Sequence, residues 1–268
     1  MNQAPILVQK FGGTSVSTAE RRLQAVEHVR RARAEGYRVA IVVSAMGRRG
    51  DPYATDTLLD LLRCDGLPVD GRDYDLIFGC GEIVSAVMMA HLLKREGIPA
   101  AGLTGGQAGI YTDGNYCEAE IVEMDPARIR HYLDEGAVPV IAGCQGIVPH
   151  TGDVTTLGRG GSDTSSVAVG VALGAALVEI YTDVEGVARA DPRTVPRAGF
   201  LKAISYDRML DMARYGAGVV HPRAVRTARA GQVPVAVRST FSMAPELNSG
   251  TKIWSYFPNG YGKSKNAA

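Results

Sequence analysis

Lys10-Phe11-Gly12-Gly13-Thr14-Ser15 follows directly on an apolar run and joins one cation to two glycines and two hydroxyls. Glycines let a backbone approach a ligand closely, and successive amide N–H groups there can cradle phosphate oxygens. A helix starting after the turn would add its positive N-terminal end. Lys10 stands where a cation could neutralise charge on a transferring phosphoryl group. The lysine precedes the glycines, so this is not a Walker A loop. An ordinary strand-to-helix turn accounts for the same residues.

A second cluster, Thr155-Thr156-Leu157-Gly158-Arg159-Gly160-Gly161-Ser162-Asp163-Thr164, precedes an apolar helical stretch. Its glycines, hydroxyls and carboxylate form an anion-receiving nest, and Arg159 could fork a carboxylate or phosphate. The bland alternative makes Ser162 or Asp163 a helix cap. The third cluster is Tyr181-Thr182-Asp183-Val184-Glu185-Gly186-Val187, with Asp191-Pro192-Arg193 beyond it. Thr182 and Asp183 close a strand, at the edge where α/β folds bind ligands. Asp-Pro-Arg reads as a turn whose arginine could reach a nucleotide phosphate.

Gly79-Cys80-Gly81-Glu82 reads as a helix opening. A first-turn carboxylate is favoured by the helix dipole, so Glu82 is either a satisfied surface residue or a partner for an ammonium group. Ser44-Ala45-Met46-Gly47 ends another strand and leads to Asp51-Pro52-Tyr53-Ala54-Thr55-Asp56. Ser44 and Thr55 could bind phosphate or substrate; as cap and turn residues they need no such role.

Other chemistries lack support. His28, His91, His131, His150 and His221 show no metal-ligand spacing, and no Gly-x-Ser-x-Gly or His-Glu-x-x-His motif occurs. Cys64, Cys80, Cys117 and Cys144 lie far apart and read as buried or half-buried reduced thiols. Lysine and arginine number 29 against 28 acidic residues, so no broad basic face points to nucleic acid. The most apolar stretch, Val167–Ile180, falls short of the roughly 20 residues a membrane span needs. No charged, apolar leader opens the chain, so a cytoplasmic protein is expected.

Strand and helix patterns alternate along the sequence. Strands are expected at Ile6–Gln9, Val39–Val43, Ala100–Leu103, Val138–Ala142, Leu177–Tyr181 and Val233–Val237. Helices are expected at Thr18–Glu35, Glu82–Glu96, Pro126–Glu135, Ser162–Gly174, Ser205–Tyr215 and Pro222–Ala230. Long loops cover 44–57 and 145–161, and the pattern decays after Gly250. Apolar strand interiors joined by crossover helices imply a three-layer α/β/α sandwich with a mainly parallel sheet.

Together the motifs "VQKFGGTSV", "VVSAMGRRGDPYATDTLLDLL", "GCGE", "TGGQAGIYT", "TTLGRGGSDTSSVA", "IYTDVEGVARADPR" and "GAGVVHPRAV" resemble the amino acid kinase family, and within it the catalytic domains of aspartate kinases. "GRRGDPYATD" looks most like the diaminopimelate-sensitive forms of Gram-positive bacteria. The resemblance implies transfer of the γ-phosphoryl group of ATP to the side-chain carboxylate of L-aspartate, with Mg²⁺, at the head of lysine and threonine biosynthesis. By it, Lys10 is the cation of the transition state and Asp163 the carboxylate that organises it. Lys10, Phe11, Gly12, Gly13 and Ser44 match phosphate-contacting positions; Thr182, Asp183, Arg189 and Arg193 match the nucleotide-binding segment. Thr55, Glu82, Arg159 and Ser162 match the substrate site, Glu82 for the α-ammonium and Arg159 for the α-carboxylate. No metal ligand is assigned.

The resemblance also sets the expected organisation: a catalytic domain at 1–251, with a substrate lobe at about 1–150 and a nucleotide lobe at about 151–251, then a tail at 252–268. Typical relatives continue into ACT domains; here none is expected, nor feedback inhibition in cis. Kinases of this fold commonly dimerise through helices, so a homodimer is expected, and a separate ACT regulatory subunit is a further expected partner. Ala188 stands where many relatives have an aromatic residue, and Gly218 where many have a lysine. Two rival readings remain: phosphorylation of another carboxylate in a specialised pathway, and a non-catalytic nucleotide-binding subunit. Ala188 and Gly218 suggest the latter; Lys10 and Asp163 argue against it.

Overall fold

Runs of β-branched residues with both faces apolar can be satisfied only inside a sheet covered on both sides, and six such runs line up in parallel here. The computed structural model describes residues 4–64, 66–190, 195, 198–214, 218–242 and 250–255. The first half runs β1 (Ile6–Phe11), α1 (Gly13–Val16), α2 (Ala19–Ala34), β2 (Arg38–Val43), α3 (Thr55–Arg63), α4 (Gly71–Arg95), β3 (Ala100–Leu103), β4 (Ile110–Thr112), β5 (Ile121–Met124), α5 (Ala127–Asp134) and β6 (Val138–Ala142). Next come β7 (Gln145–Ile147), β8 (Val154–Thr156), α6 (Gly161–Leu173), β9 (Leu177–Thr182), β10 (Ala203–Ser205), α7 (Tyr206–Arg214), α8 (Pro222–Gly231), β11 (Val235–Ser239) and β12 (Thr251–Trp254).

The large sheet has eight strands in the order β10-β12-β11-β9-β1-β2-β6-β3. From β3 to β11 all neighbours are parallel; β12 runs antiparallel to β11, and β10 follows β12. Side chains alternate across this sheet. Val8, Val42, Ile141, Val178 and Ile180 pack with α5, α6, α7 and α8 on one face. Leu7, Phe11, Ile41, Val43 and Val140 pack with α2 and α4 on the other. The expected α/β/α sandwich is therefore present.

Several expectations change. The helix expected from Glu82 begins at Gly71, so Gly79 and Gly81 lie in mid-helix. A Cβ on Gly81 would meet Ala45 Cβ at 2.8 Å, so this glycine serves close packing and marks no turn. α4 is also long and apolar enough to cross a membrane by length and composition, a property the sequence reading gave to no segment. Half of that stretch is buried in the fold, as befits a core helix against β3 and β6. The 44–57 loop ends where α3 starts, and the 145–161 loop contains β7 and β8. Those strands join β4 and β5 in a second sheet of four, ordered β5-β4-β7-β8. Residues 252–254, expected in the tail, belong to β12, and residues 256–268 lie outside the described set. Cys64 and Cys80 are exposed, not buried, while all four cysteines are free thiols as expected.

A buried polar knot ties β1, β9 and β11 together beneath the ligand edge. Glu179 Oε1 lies 2.9 Å from Arg238 Nε, with both side chains under a tenth exposed. Gln9 Nε2 and the Tyr181 hydroxyl donate to Glu179 Oε2 at 2.9 and 3.0 Å. Arg238→Met would leave the Glu179 charge without its cation and should cost about 3–5 kcal/mol. Urea unfolding measures this, and a loss below about 1 kcal/mol would show the pair to be dispensable.

Candidate functional site

β1 delivers Lys10 to the carboxyl edge of the sheet, and the first turn of α6 delivers Asp163. Lys10 Nζ lies 2.7 Å from Asp163 Oδ1, and both side chains are only 12% exposed. Such a short charge-assisted contact holds the ammonium at one place on the edge. Asp163 Oδ2 accepts the backbone N–H of His221 at 3.4 Å, so the carboxylate is itself fixed from α8. Past Phe11 the chain must pass very close to its neighbours. A Cβ on Gly13 would lie 2.4 Å from the Ala45 carbonyl oxygen, and one on Gly12 would lie 3.5 Å from Lys10 Nζ. The Gly47 N–H donates to the Gly13 carbonyl at 3.3 Å, and the Ser44 N–H to the Phe11 carbonyl at 3.1 Å. The ends of β1 and β2 thus form one continuous backbone surface beside Lys10.

The second cluster turns sharply into α6. Gly160 is left-handed (φ 68°), and a Cβ there would lie 2.2 Å from His221 Cγ, so geometry and space both demand glycine. Gly160 is also the N-cap, and it makes no side-chain cap. Ser162 and Asp163 therefore do not cap the helix; they sit buried in its first turn, facing the strand ends. Ser162 adjoins Gly143, where a Cβ would meet its Oγ at 2.9 Å. Arg159 is exposed and has no ion-pair partner among the described residues, leaving its guanidinium available to a ligand.

Glu82 departs most from expectation. It is neither at a helix start nor on the surface: it lies within α4, 3% exposed, and its Oε2 has no hydrogen-bond partner among the described residues. Burial pushes its pKa up to about 8, against the opposing pull of the Glu82 and Ala45 backbone N–H groups. Ala45 also borders Gly13 and Gly81, so Glu82 lies behind the loop that flanks Lys10. Thr55, at the start of α3, is half-buried next to this loop; a Cβ on Gly81 would approach the Tyr53 carbonyl at 3.1 Å. Thr182 and Asp183 stand at the end of β9, beside β1. The Thr240 N–H donates to the Thr182 carbonyl at 2.9 Å, and Asp183 faces Arg48 at 3.7 Å. Arg189 is exposed on a separate turn, where its N–H donates to the Gly199 carbonyl. Arg193 lies outside the described residues.

Other residues at this edge carry no role in the sequence reading. His221 and Arg223 lie in the quoted "GAGVVHPRAV" stretch, so a signal existed without an assigned chemistry. Cys144 sits in the left-handed region (φ 62°) at the floor, its thiol pKa raised by burial and by the nearby Glu82 charge. Among the described residues, no group of three or more His, Cys, Asp or Glu could hold a metal ion. A magnesium ion carried on nucleotide phosphates needs only one or two carboxylates; the carboxylates at this edge are Asp163, in the first turn of α6 beside Lys10, and Asp183, just after β9 and facing Arg48.

A covered parallel sheet whose strand ends meet glycine turns, a helix N-terminus and a held lysine defines an α/β protein with an anion-receiving edge. Residues 5–239 match the amino acid kinase family. The chain belongs to that family. It is 48% identical over 237 residues to Aspartokinase 1 of Bacillus subtilis, covering 88% of this chain and 58% of that protein. The chain thus spans somewhat over half the length of this curated relative. An aspartate kinase structure from Synechocystis superposes with a TM-score of 0.80 at 43% identity, over 94% of this chain and 40% of that one. Aspartokinase III of E. coli, in complex with aspartate and ADP, shares the fold with a TM-score of 0.79 at 24% identity, over 95% and 65%.

The raised pKa of Glu82 links stability to pH. Between its ordinary value of 4.5 and about 8 the folded chain keeps a proton that the unfolded chain releases. Stability therefore falls as pH rises through that window and levels off above it. Glu82→Gln, uncharged throughout, lacks this component, so its urea midpoint should rise relative to the parent protein from pH 5.5 to pH 8. A difference that stays constant across those pH values would contradict the assignment.

Proposed function

We propose that this chain is an ATP-dependent aspartate kinase catalytic unit, transferring the γ-phosphoryl group of ATP to the side-chain carboxylate of L-aspartate to give 4-phospho-L-aspartate. The observation that carries the reading is Glu82. A buried carboxyl group with a partnerless oxygen, beside the loop that flanks Lys10, calls for a cation, and the α-ammonium of an amino acid supplies one. Arg159, exposed across the edge, is suited to the α-carboxylate. The names of the relatives agree with this acceptor.

The chemistry asks little of the protein in proton transfer. The acceptor carboxylate is nucleophilic as it stands: its oxygen bonds to the γ-phosphorus as the bond to the β–γ bridging oxygen breaks, and ADP leaves. Catalysis is then alignment and charge neutralisation. Lys10, oriented by Asp163, meets charge on the transferring group. The N–H groups of Gly13, Ser162 and Asp163, at the starts of α1 and α6, receive phosphate oxygens. Magnesium, when bound with the nucleotide, would neutralise phosphate charge, held by Asp163 or Asp183 at this edge. In this reading the acceptor lies mainly against the half up to about residue 150, with Arg159 and Ser162 reaching it from the other half, and the nucleotide lies against the half from about 151, through Thr182, Asp183, Arg189 and Arg193.

The direct test couples ADP release to hydroxylamine trapping of the acyl phosphate, with ATP, Mg²⁺ and L-aspartate. Aspartyl hydroxamate is the expected product; ADP release with another carboxylate and none with aspartate would overturn the acceptor assignment. Glu82→Gln should raise the KM for aspartate by tenfold or more, about the value of one buried charge-assisted contact, and leave the KM for ATP nearly unchanged. An equal rise in both would remove Glu82 from the acceptor site.

A further inference from the structure

Asp75 is completely buried in α4, yet it serves no ligand and pairs with no cation among the described residues. Its Oδ1 accepts the Thr156 hydroxyl at 2.5 Å, and its Oδ2 accepts the backbone N–H groups of Thr156 and Cys117 at 2.9 and 2.8 Å. Thr156 is the last residue of β8, immediately before the Leu157–Gly160 turn that carries Arg159. Cys117, left-handed at φ 70°, belongs to the segment under that turn, and a Cβ on Gly158 would lie 2.9 Å from its carbonyl oxygen. The Ala119 N–H donates to the Thr156 carbonyl at 2.9 Å.

The far side of the turn is held as firmly. Arg223, in the first turn of α8, donates to the carbonyls of Leu157 at 2.7 Å and Ala119 at 2.6 Å, and lies 3.2 Å from Glu120. The Leu157 N–H donates to the Cys144 carbonyl at 2.9 Å. The turn is therefore gripped from α4 and from α8, while the exposed Arg159 side chain has no ion-pair partner among the described residues.

Asp75 and Glu82 share one helix and, about two turns apart, one side of it. Both are buried. We propose that Asp75 is a positioning residue: by clamping Thr156 it fixes the backbone turn from which Arg159, the carboxylate-binding residue, reaches out, relative to the helix that carries Glu82, the ammonium-binding one. This rests on the acceptor assignment made above. A buried carboxylate is costly to desolvate, and this one is retained where it joins the two ends of one ligand. The rigid gauge rewards acceptors whose ammonium and carboxylate share a single carbon.

Asp75→Ala would strand two buried N–H groups, and its effects would mix with unfolding. Thr156→Val removes only the hydroxyl contact at nearly constant volume, and Thr156→Ser retains it. Thr156→Val should raise the KM for L-aspartate about tenfold, since misplacing a substrate-positioning group is felt at that scale. Its kcat and its KM for ATP should stay within about twofold, and Thr156→Ser should behave as the parent. Amide hydrogen exchange of the ligand-free protein should quicken at 157–161 in Thr156→Val and stay unchanged in β1 and β9. Unchanged exchange at 157–161, or KM values for aspartate and ATP that rise together, would overturn the proposal. If the parent protein shows no turnover of L-aspartate, the acceptor assignment falls, and exchange still decides whether the clamp exists.

Discussion

The 2.7 Å contact between Lys10 and Asp163 is the constraint around which this edge of the molecule is built. It joins the central strand to the helix that crosses behind it, residues far apart in sequence. Parallel strand order makes the meeting possible, because β1 lies between β2 and β9 with α6 packed on one face. Alternation along β1 does the rest. Gln9 joins the buried knot with Glu179 and Phe11 packs against α2 and α4, which turns the intervening Lys10 toward Asp163. Glycine at 13, 143, 160 and 161 then lets neighbouring segments converge where a Cβ would push them apart.

Charge is managed differently on the two sides of the edge. Near Lys10 the ions neutralise one another, and His221 completes the hydrogen bonding of Asp163. At Glu82 burial outweighs the backbone N–H groups of Glu82 and Ala45 and pushes the carboxyl pKa up to about 8. Asp75, on the same helix, is the opposite case: its buried carboxylate accepts from three donors.

The parts legible in the sequence are those set by local pattern. Apolar runs such as Val39–Val43 declare buried parallel strands, and the Lys10–Ser15 and Thr155–Thr164 clusters announce their backbone geometry through glycine. Glycine also misled. At Gly79 and Gly81 it permits helix packing against Ala45 and Gln145, so Glu82 fell inside α4 rather than at its start. The small sheet was missed because β4, β7 and β8 have three residues each, too few for a period to show. β12 follows a glycine-flanked, polar stretch that masks its pairing with β11. The roles of Asp75 and Arg223 were hidden for another reason, although Arg223 stands in a quoted motif: they depend on partners 81 and 66 residues away.

The central claim is that Lys10 and Asp163 act as one unit, with Asp163 working through the lysine it holds. A double-mutant cycle on kcat tests this most directly, using Lys10→Met, Asp163→Asn and the pair combined. If the account holds, each single variant loses several orders of magnitude and the double variant is no slower than Lys10→Met alone, a wholly non-additive result. If the two losses multiply, the residues act independently and the 2.7 Å contact is not what organises the site.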